Sequence, residues 1–453
     1  METLKQREKG LHEERLQQYI RDLLDEKDVF LESASRFGTP QYFFDEPRLS
    51  RQIALFDEAF SGHFDRYRVF YAVKSNAFPG ICKRVVASGW GLDVSSGFEL
   101  SMGLASGCRN IVFSGPGKTD EELLLAIRHR DRVTLLLDSS GELQRVSRLL
   151  DGVRKRRDKL RLGIRVRDGR RGTWNKFGIP LKDLRATLRK AMDVKGAEPS
   201  GIQFHASWNL EPSSQIRMIN EIGAHIRRHV SPALQKNLRF LDIGGGFWPE
   251  QGEWLNPQNT TKGKMLQLLD PEIRFRSTHH CRDARPLGYF AGEIARAISA
   301  QGPPLKDLEI WMEPGRWISD PTMHVLLTVI DKKDARTVIT DGGTGILGWE
   351  RPLTEFIPII NLSRPSMRER PCRIFGSLCT PYDIWGTSYF GEEIQPRDLL
   401  IIPRQGAYAY SLRQSFIKPR SRVVRYEGNS LEEVEEEERF RPVEFRCRST
   451  ASG

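Results

Sequence analysis

The stretch RVFYAVKSN (68–76) decides how the rest of the chain reads. An apolar run of strand length ends on a lysine, Lys74, and then breaks into polar residues. Seven further runs of the same kind follow, separated by helical patterns. They are GLDVS (91–95), NIVFSG (110–115), RVTLLLDS (132–139), RLGIRVR (161–167), GIQFHAS (201–207), RFLDIGGG (239–246) and EIWMEPG (309–315). Eight strands alternating with helices predict an α/β chain built on a (β/α)8, TIM-like barrel over residues 66–319.

Outward from that block the texture changes. Residues 320–430 carry strand candidates with little helix between them, among them HVLLTVID (324–331), ARTVITDG (335–342), DLLIIP (398–403) and YAYSL (408–412), and they predict a C-terminal all-β domain. On the N-terminal side, Leu11, Leu16, Ile20, Leu23 and Leu24 recur near helical spacing, so 1–38 reads as a charged helical extension. TPQYFFD (39–45) reads as a strand, and 39–65 is assigned to the β domain. The acidic run Glu432–Glu438 makes 431–453 a solvated acidic and polar tail.

Composition limits what such a chain can be. It has 453 residues, 39% of them hydrophobic, which suits one large barrel plus a second domain. Six cysteines without a CxxC pair give no disulfide framework and favour a reducing compartment. The N-terminus lacks the apolar core of a signal peptide, and no apolar run is long enough to span a bilayer, so a cytoplasmic protein without a membrane partner is expected. The formal net charge of +11 raises nucleic acid as a partner. The densest basic stretch, 154–171, alternates with Leu160, Leu162, Ile164 and Val166 like a strand and carries no binding motif, so none is expected.

Function in a barrel of this kind sits at the C-terminal ends of the strands. Lys74 is placed there, where desolvation would lower its pKa and suit it to Schiff-base formation; a lysine snorkelling to the rim is the alternative. Gly244, Gly245 and Gly246 close the seventh run and leave backbone N–H groups bare for an anion, although a tight turn also explains them. Glu313 and Arg316 close the eighth. A buried carboxylate needs a partner, either a pyridinium N–H or the arginine itself. His205 ends the sixth run, Asp93 lies in the second and Arg165 in the fifth.

Lysine, histidine, glycines and Glu–Arg in this order resemble the fold-type III decarboxylases that use pyridoxal 5′-phosphate (PLP), an alanine racemase-like group that includes ornithine, arginine and diaminopimelate decarboxylases. The resemblance covers about 40–425. It extends to SGPGKTDEEL (114–123), NKFGI (175–179), CTPYD (379–383) and GAYAYS (406–411). It implies an amino-acid decarboxylase in which Lys74 carries PLP as a Schiff base, Glu313 faces the pyridine nitrogen and His205 stacks on the ring. Asp93 and Arg165 would support the lysine side, while Gly244, Gly245, Gly246, Arg316 and Tyr408 would bind the phosphate. The resemblance further implies a homodimer with composite active sites. Cys379 and Asp383 would enter from the other subunit, and Cys379 would reprotonate the carbanion left by CO2. A racemase on the same fold and a catalytically degenerate, PLP-binding regulatory paralogue are the rival readings.

Departures from the family pattern fall on the substrate side. Thr380 stands where diaminopimelate decarboxylases usually carry a glutamate. Trp208 replaces a serine, with Ser207 a candidate stand-in as phosphate ligand, and RPLTEFIPI (351–359) is short. Arg351 and Arg404, if they face the pocket, would favour an anionic or acylated distal group, whereas Glu355 or Asp383 could supply a negative charge. Residues 249–290 form a polar insertion expected to be a mobile loop and a candidate lid, with His279, His280 and Cys281 incidental and no metal expected.

Overall fold

The computed structural model describes residues 8–153, 157–167, 173–271, 273, 275, 278–348 and 355–439. Eight parallel strands close on themselves: β1 (Tyr67–Ala72), β2 (Gly91–Val94), β3 (Ile111–Phe113), β4 (Val133–Leu137), β5 (Leu160–Arg167), β6 (Ala197–Gln203), β7 (Phe240–Asp242) and β8 (Glu309–Met312). β8 pairs with β1 and β4 pairs with β5, which completes the ring. These are the eight runs read from the sequence.

The barrel interior explains why polar side chains are left at one end. Phe70, Val112, Leu136, Phe240 and Trp311 form a cluster of their own, with the Phe240 and Trp311 rings stacked 3.6 Å apart. Room for these rings comes from glycine: a Cβ on Gly201 would sit 2.4 Å from the Phe240 ring, and one on Gly163 would sit 2.4 Å from Leu136. The aromatic plug fills the lower barrel, so Lys74, Asp93, His205 and Glu313 lie above a dry floor.

A second sheet forms the β domain. Its long strand β9 (Met323–Asp334) pairs with Gln41–Asp45, Leu399–Ile402 and Thr337–Thr340. The strand expected at 39–45 is present, but Glu46–Ser61 is a helix, so 39–65 is not all strand. Asp45 caps that helix by accepting the Arg48 N–H, and Leu49, Ile53, Phe56 and Phe60 bury its inner face. Tyr408 likewise departs from the expected strand. It adopts φ +64° and starts a short helix, Ala409–Leu412. Nor is the acidic run a free tail. Ser430–Glu435 pairs with Arg422–Glu427, and Glu432, Glu433 and Glu435 meet Arg425, Arg422 and Arg413.

The N-terminal extension is two helices, Glu13–Asp25 and Lys27–Phe37, packed onto this domain through Leu16, Ile20, Leu23 and Phe30. The 249–290 insertion joins the same core, which corrects the expectation of a mobile loop. Strand His280–Arg282 pairs with Glu253–Leu255 on one side and with Lys9–Gly10 on the other. Trp254 packs edge-on against Tyr19, and the His279 ring stacks 3.6 Å from Phe356 while its Nε2 meets Glu369 at 2.9 Å. His279 is therefore structural.

His324, on β9, sits fully buried among Phe30 and Phe43, and burial together with the Arg48 charge holds its imidazole down to about 3. Because its folded pKa lies below its ordinary 6.5, its contribution is complete above pH 6.5 and is lost as pH falls toward 3. Stability should drop by up to about 1.4 kcal/mol per pH unit on that limb from this residue alone. Denaturant unfolding from about pH 7 down to about pH 5 should show His324→Asn with a shallower acid limb than wild type. Parallel limbs would refute the assignment.

Candidate active site

Lys74 sits in the turn Val73–Ser75 that immediately follows β1. The turn is held by two links to the β domain: Asn76 Nδ2 donates to Gly406 O at 2.7 Å, and Tyr408 N–H donates to Ser75 O at 2.6 Å. A Cβ on Gly406 would fall 1.7 Å from Ser319 O, so only glycine allows the GAYAYS segment this close to the barrel.

A polar chain runs from the lysine across the neighbouring strands. Lys74 Nζ lies 3.4 Å from Asp93 Oδ2, and Asp93 Oδ1 accepts from Ser114 Oγ at 2.5 Å. Arg165 Nη1 donates to Ser114 O at 3.2 Å and stands 3.8 Å from Asp138, with its guanidinium over the Phe177 ring of NKFGI. Burial pulls the Lys74 amine downward, but the carboxylates of Asp93 and Glu313 outweigh it and hold the amine above its ordinary value. That corrects the expectation of a lowered pKa: two anions face this amine, not an apolar wall. Burial and the charge of Glu313 push Asp93 up to about 6.

On the opposite wall, His205 Nδ1 accepts the Gly245 N–H at 3.2 Å, which leaves Nε2 to donate to Ser207 Oγ at 2.9 Å. Burial lowers this imidazole, so the ring is neutral. Glu313 Oε2 lies 3.7 Å from His205 Nδ1, and Gln203 Nε2 reaches both carboxylate oxygens only at 3.4 Å. Burial raises Glu313, but His205 and Lys74 outweigh it and keep the carboxyl below its usual range. Its neighbour Asp242, buried and facing that charge, is pushed well above the usual range, so of the pair Glu313 gives up its proton first. Asp242 and Gln203 were not singled out in the sequence. Asp242 stands two residues before the glycines, and nothing local marks its side chain as facing Glu313.

Gly244 and Gly246 adopt φ +67° and +79°, and a Cβ on Gly245 would meet Glu313 O at 2.1 Å. The loop is bare because a side chain there would collide with the eighth strand end or with the segment after His205. Arg316 does not pair with Glu313. Its Nη1 lies 3.4 Å from Glu355, and its guanidinium sits over Trp248 and Tyr408.

Lys74, His205, Ser207, Gly246, Glu313, Arg316, Glu355 and Tyr408 all line one cleft of about 650 Å³. Other expected residues are elsewhere. Arg404 pairs with Asp320 at 2.5 Å and is not among the cleft residues. Asp383 is buried and spent within its own chain, accepting from Thr344 N, Thr344 Oγ1 and Leu378 N at 2.6, 2.9 and 2.7 Å. It therefore buttresses the turn before Cys379 and is not a substrate ligand. Cys379 is exposed, and neither it nor Thr380 lines the cleft of its own chain. Arg351 lies outside the described residues. Among the described residues, no group of three or more His, Cys, Asp or Glu side chains could hold a metal ion. None of the described helices is long and apolar enough to cross a membrane.

A model of the family described as pyridoxal-dependent decarboxylase, pyridoxal binding domain, matches residues 47–320. The chain belongs to this family. It is 27% identical over 434 residues to the diaminopimelate decarboxylase of Campylobacter jejuni, across 89% of this chain and 97% of that one. It is 26% identical over 426 residues to that of Methanothermobacter thermautotrophicus, across 90% and 92%. The diaminopimelate decarboxylase of Helicobacter pylori, solved with L-lysine, shares the fold with a TM-score of 0.73 at 24% identity, over 90% of this chain and 97% of that one. That of M. jannaschii, also solved with L-lysine, gives 0.74 at 21%, over 90% and 92%. The protein is a PLP-dependent amino-acid decarboxylase, a carboxy-lyase on a barrel-plus-β-domain fold.

The residues of the decarboxylase fit its cofactor. Glu313 is an ionised, buried carboxylate whose nearest donors are weak, which matches a pyridinium N–H. Gly244 and Gly245 spend their N–H groups on Asp242 and His205, while Gly246 lines the cleft where a Cβ could not stand, with Arg316 on the same cleft, which matches a phosphate. PLP, when bound, supplies the electron sink for the pair left behind by departing CO2. The protein's share is to orient and exclude water: a neutral His205 presents a flat face, Asp93 keeps the amine in place, and the aromatic plug keeps the floor dry.

Proposed function

We propose that Lys74 carries PLP, with Glu313, His205 and the 244–246 loop in the roles named above, and that the substrate is an α-amino acid whose distal end is neutral or acidic. The observation that carries this reading is the convergence of Lys74, His205, Glu313 and Gly246 on one cleft at the C-terminal ends of the strands. The relatives named as diaminopimelate decarboxylases suggest a related substrate skeleton. Thr380, however, offers no carboxylate to a distal ammonium, and Glu355 is tied to Arg316. A site deprived of one partner of such a buried pair loses about 2–5 kcal/mol.

The acting unit is a homodimer, with Cys379 supplied to the cleft by the second copy. In support, Cys379 is exposed and does not line its own cleft. CO2 release from lysine, ornithine and meso-diaminopimelate tests the substrate reading. All three should fall well below the roughly 10⁴ M⁻¹s⁻¹ of a dedicated enzyme. A value at or above that level for any of them would overturn the specificity.

A further inference from the structure

The insertion supplies one wall of the cleft: Leu255, Asn259, Lys264 and Arg282 line it together with Lys74 and Glu313. The cations of the cleft are not equivalent. Lys74 faces Asp93, Arg316 faces Glu355, and Arg282 is held between Glu8 and Glu253. Lys264 has no carboxylate within ion-pair distance among the described residues. It projects from the helix Thr261–Leu269, whose first turn is fixed by Thr260 accepting the Gly263 N–H and by Glu8 accepting the Thr261 N–H. This helix is anchored through the insertion's strands to the core of the β domain, so its lysine is offered from a built element.

Trp208 stands at the rim of the same cleft with φ +56° and is 64% exposed. A left-handed tryptophan that leaves most of its ring in water is costly on both counts, and such strain gathers where a ligand is handled. The cleft thus has a cofactor end made of Lys74, His205 and Glu313, and an outer wall made of an aromatic ring and an uncommitted cation.

We propose that Lys264 binds a carboxylate at the distal end of the substrate, so that the substrate class is an α-amino acid with a terminal acid and no distal ammonium on its side chain. This rests on the reading of the cleft as the PLP and substrate site. The insertion is then the specificity element of this decarboxylase. It reads the distal end of the substrate through a cation, where Thr380 offers no carboxylate for a distal ammonium.

The test uses PLP-loaded wild type, Lys264→Ala, Lys264→Glu and, as a charge control outside the cleft, Lys262→Glu. Probes are a series from 2-aminoadipate to Nε-succinyl-L-lysine, each against a neutral isostere of equal length such as Nε-pentanoyl-L-lysine. Both calorimetric affinity and CO2 release are read. Wild type should prefer an acid over its isostere, and Lys264→Ala should erase about tenfold of that preference, the worth of a charge-assisted hydrogen bond. Lys264→Glu should invert it, while Lys262→Glu should leave it within about twofold, as for a solvated surface charge. No preference in wild type across the series, or a preference that survives both Lys264 variants, overturns the proposal. A Lys264-dependent affinity without CO2 release supports it and counts against the decarboxylase reading of the cleft. CO2 release that ignores the distal acid does the reverse.

Discussion

Borohydride reduction of the PLP-loaded protein will leave the pyridoxyl group on Lys74 and on no other lysine. The strand end places this amine at the barrel mouth beside Asp93, within the cleft that also holds His205 and Glu313. Lys118, a lysine in another family-like segment, cannot compete. Its Nζ is buried against Glu142 at 2.9 Å and donates to Leu136 O, outside the cleft. Lys74→Ala should lose at least about 10³-fold in CO2 release, set against the 10⁶-fold or greater accelerations that enzymes provide. Peptide mapping after reduction is the direct measurement, and a label on any other lysine would falsify the assignment. Because both Asp93 and Glu313 hold the free amine charged, Lys74 has to lose a proton before its nitrogen can attack. Asp93→Asn removes one of these anions and should therefore speed PLP loading of the apoprotein near neutral pH, with the gain fading at high pH, whereas Lys74→Ala should not load covalently at any pH.

Mixing two inactive variants, Lys74→Ala and Cys379→Ala, will restore about a quarter of wild-type activity once subunits have exchanged. Random exchange makes about half the dimers mixed, and a two-fold assembly gives each of these one site with both residues intact. Cys379→Ala alone should lose about 10²–10⁴-fold, the usual share of a positioned proton donor. The structural reason for expecting rescue is that Cys379 is exposed on a turn stiffened from within by Asp383, yet absent from the cleft of its own chain. No recovery, with exchange confirmed by mass spectrometry of differently tagged subunits, would mean that Cys379 acts in its own chain or not at all.

Local pattern carried the barrel. Each of the eight runs has the length and apolarity of a strand buried on both faces, and the alternation with helices admits few other folds. The strand-end lysine, histidine, glycines and glutamate were legible for the same reason: in this architecture the position along a strand already states which end of the barrel a side chain occupies. The second domain was legible only in part. Tyr408 was read as strand because YAYSL is apolar, but its left-handed backbone is set by contact with Ser75, more than 300 residues earlier in the chain.

What the sequence could not state was which partner each charged group would choose. Arg404 looked like a substrate reader and is claimed by Asp320; Asp383 looked like a ligand and is consumed by three donors of its own chain. The insertion read as a loose polar loop because its apolar residues are sparse. It becomes a wall because Trp254, Cys281 and His279 find partners on the N-terminal helices and the β domain. By itself, then, the sequence determined the barrel and which residues stand at its mouth, since these follow from short-range periodicity and residue type, and its resemblance to a known family implied the cofactor. Only the tertiary structure decided which cations are neutralised and which face the cleft, because ion pairing depends on distances across elements that no spacing along the chain encodes.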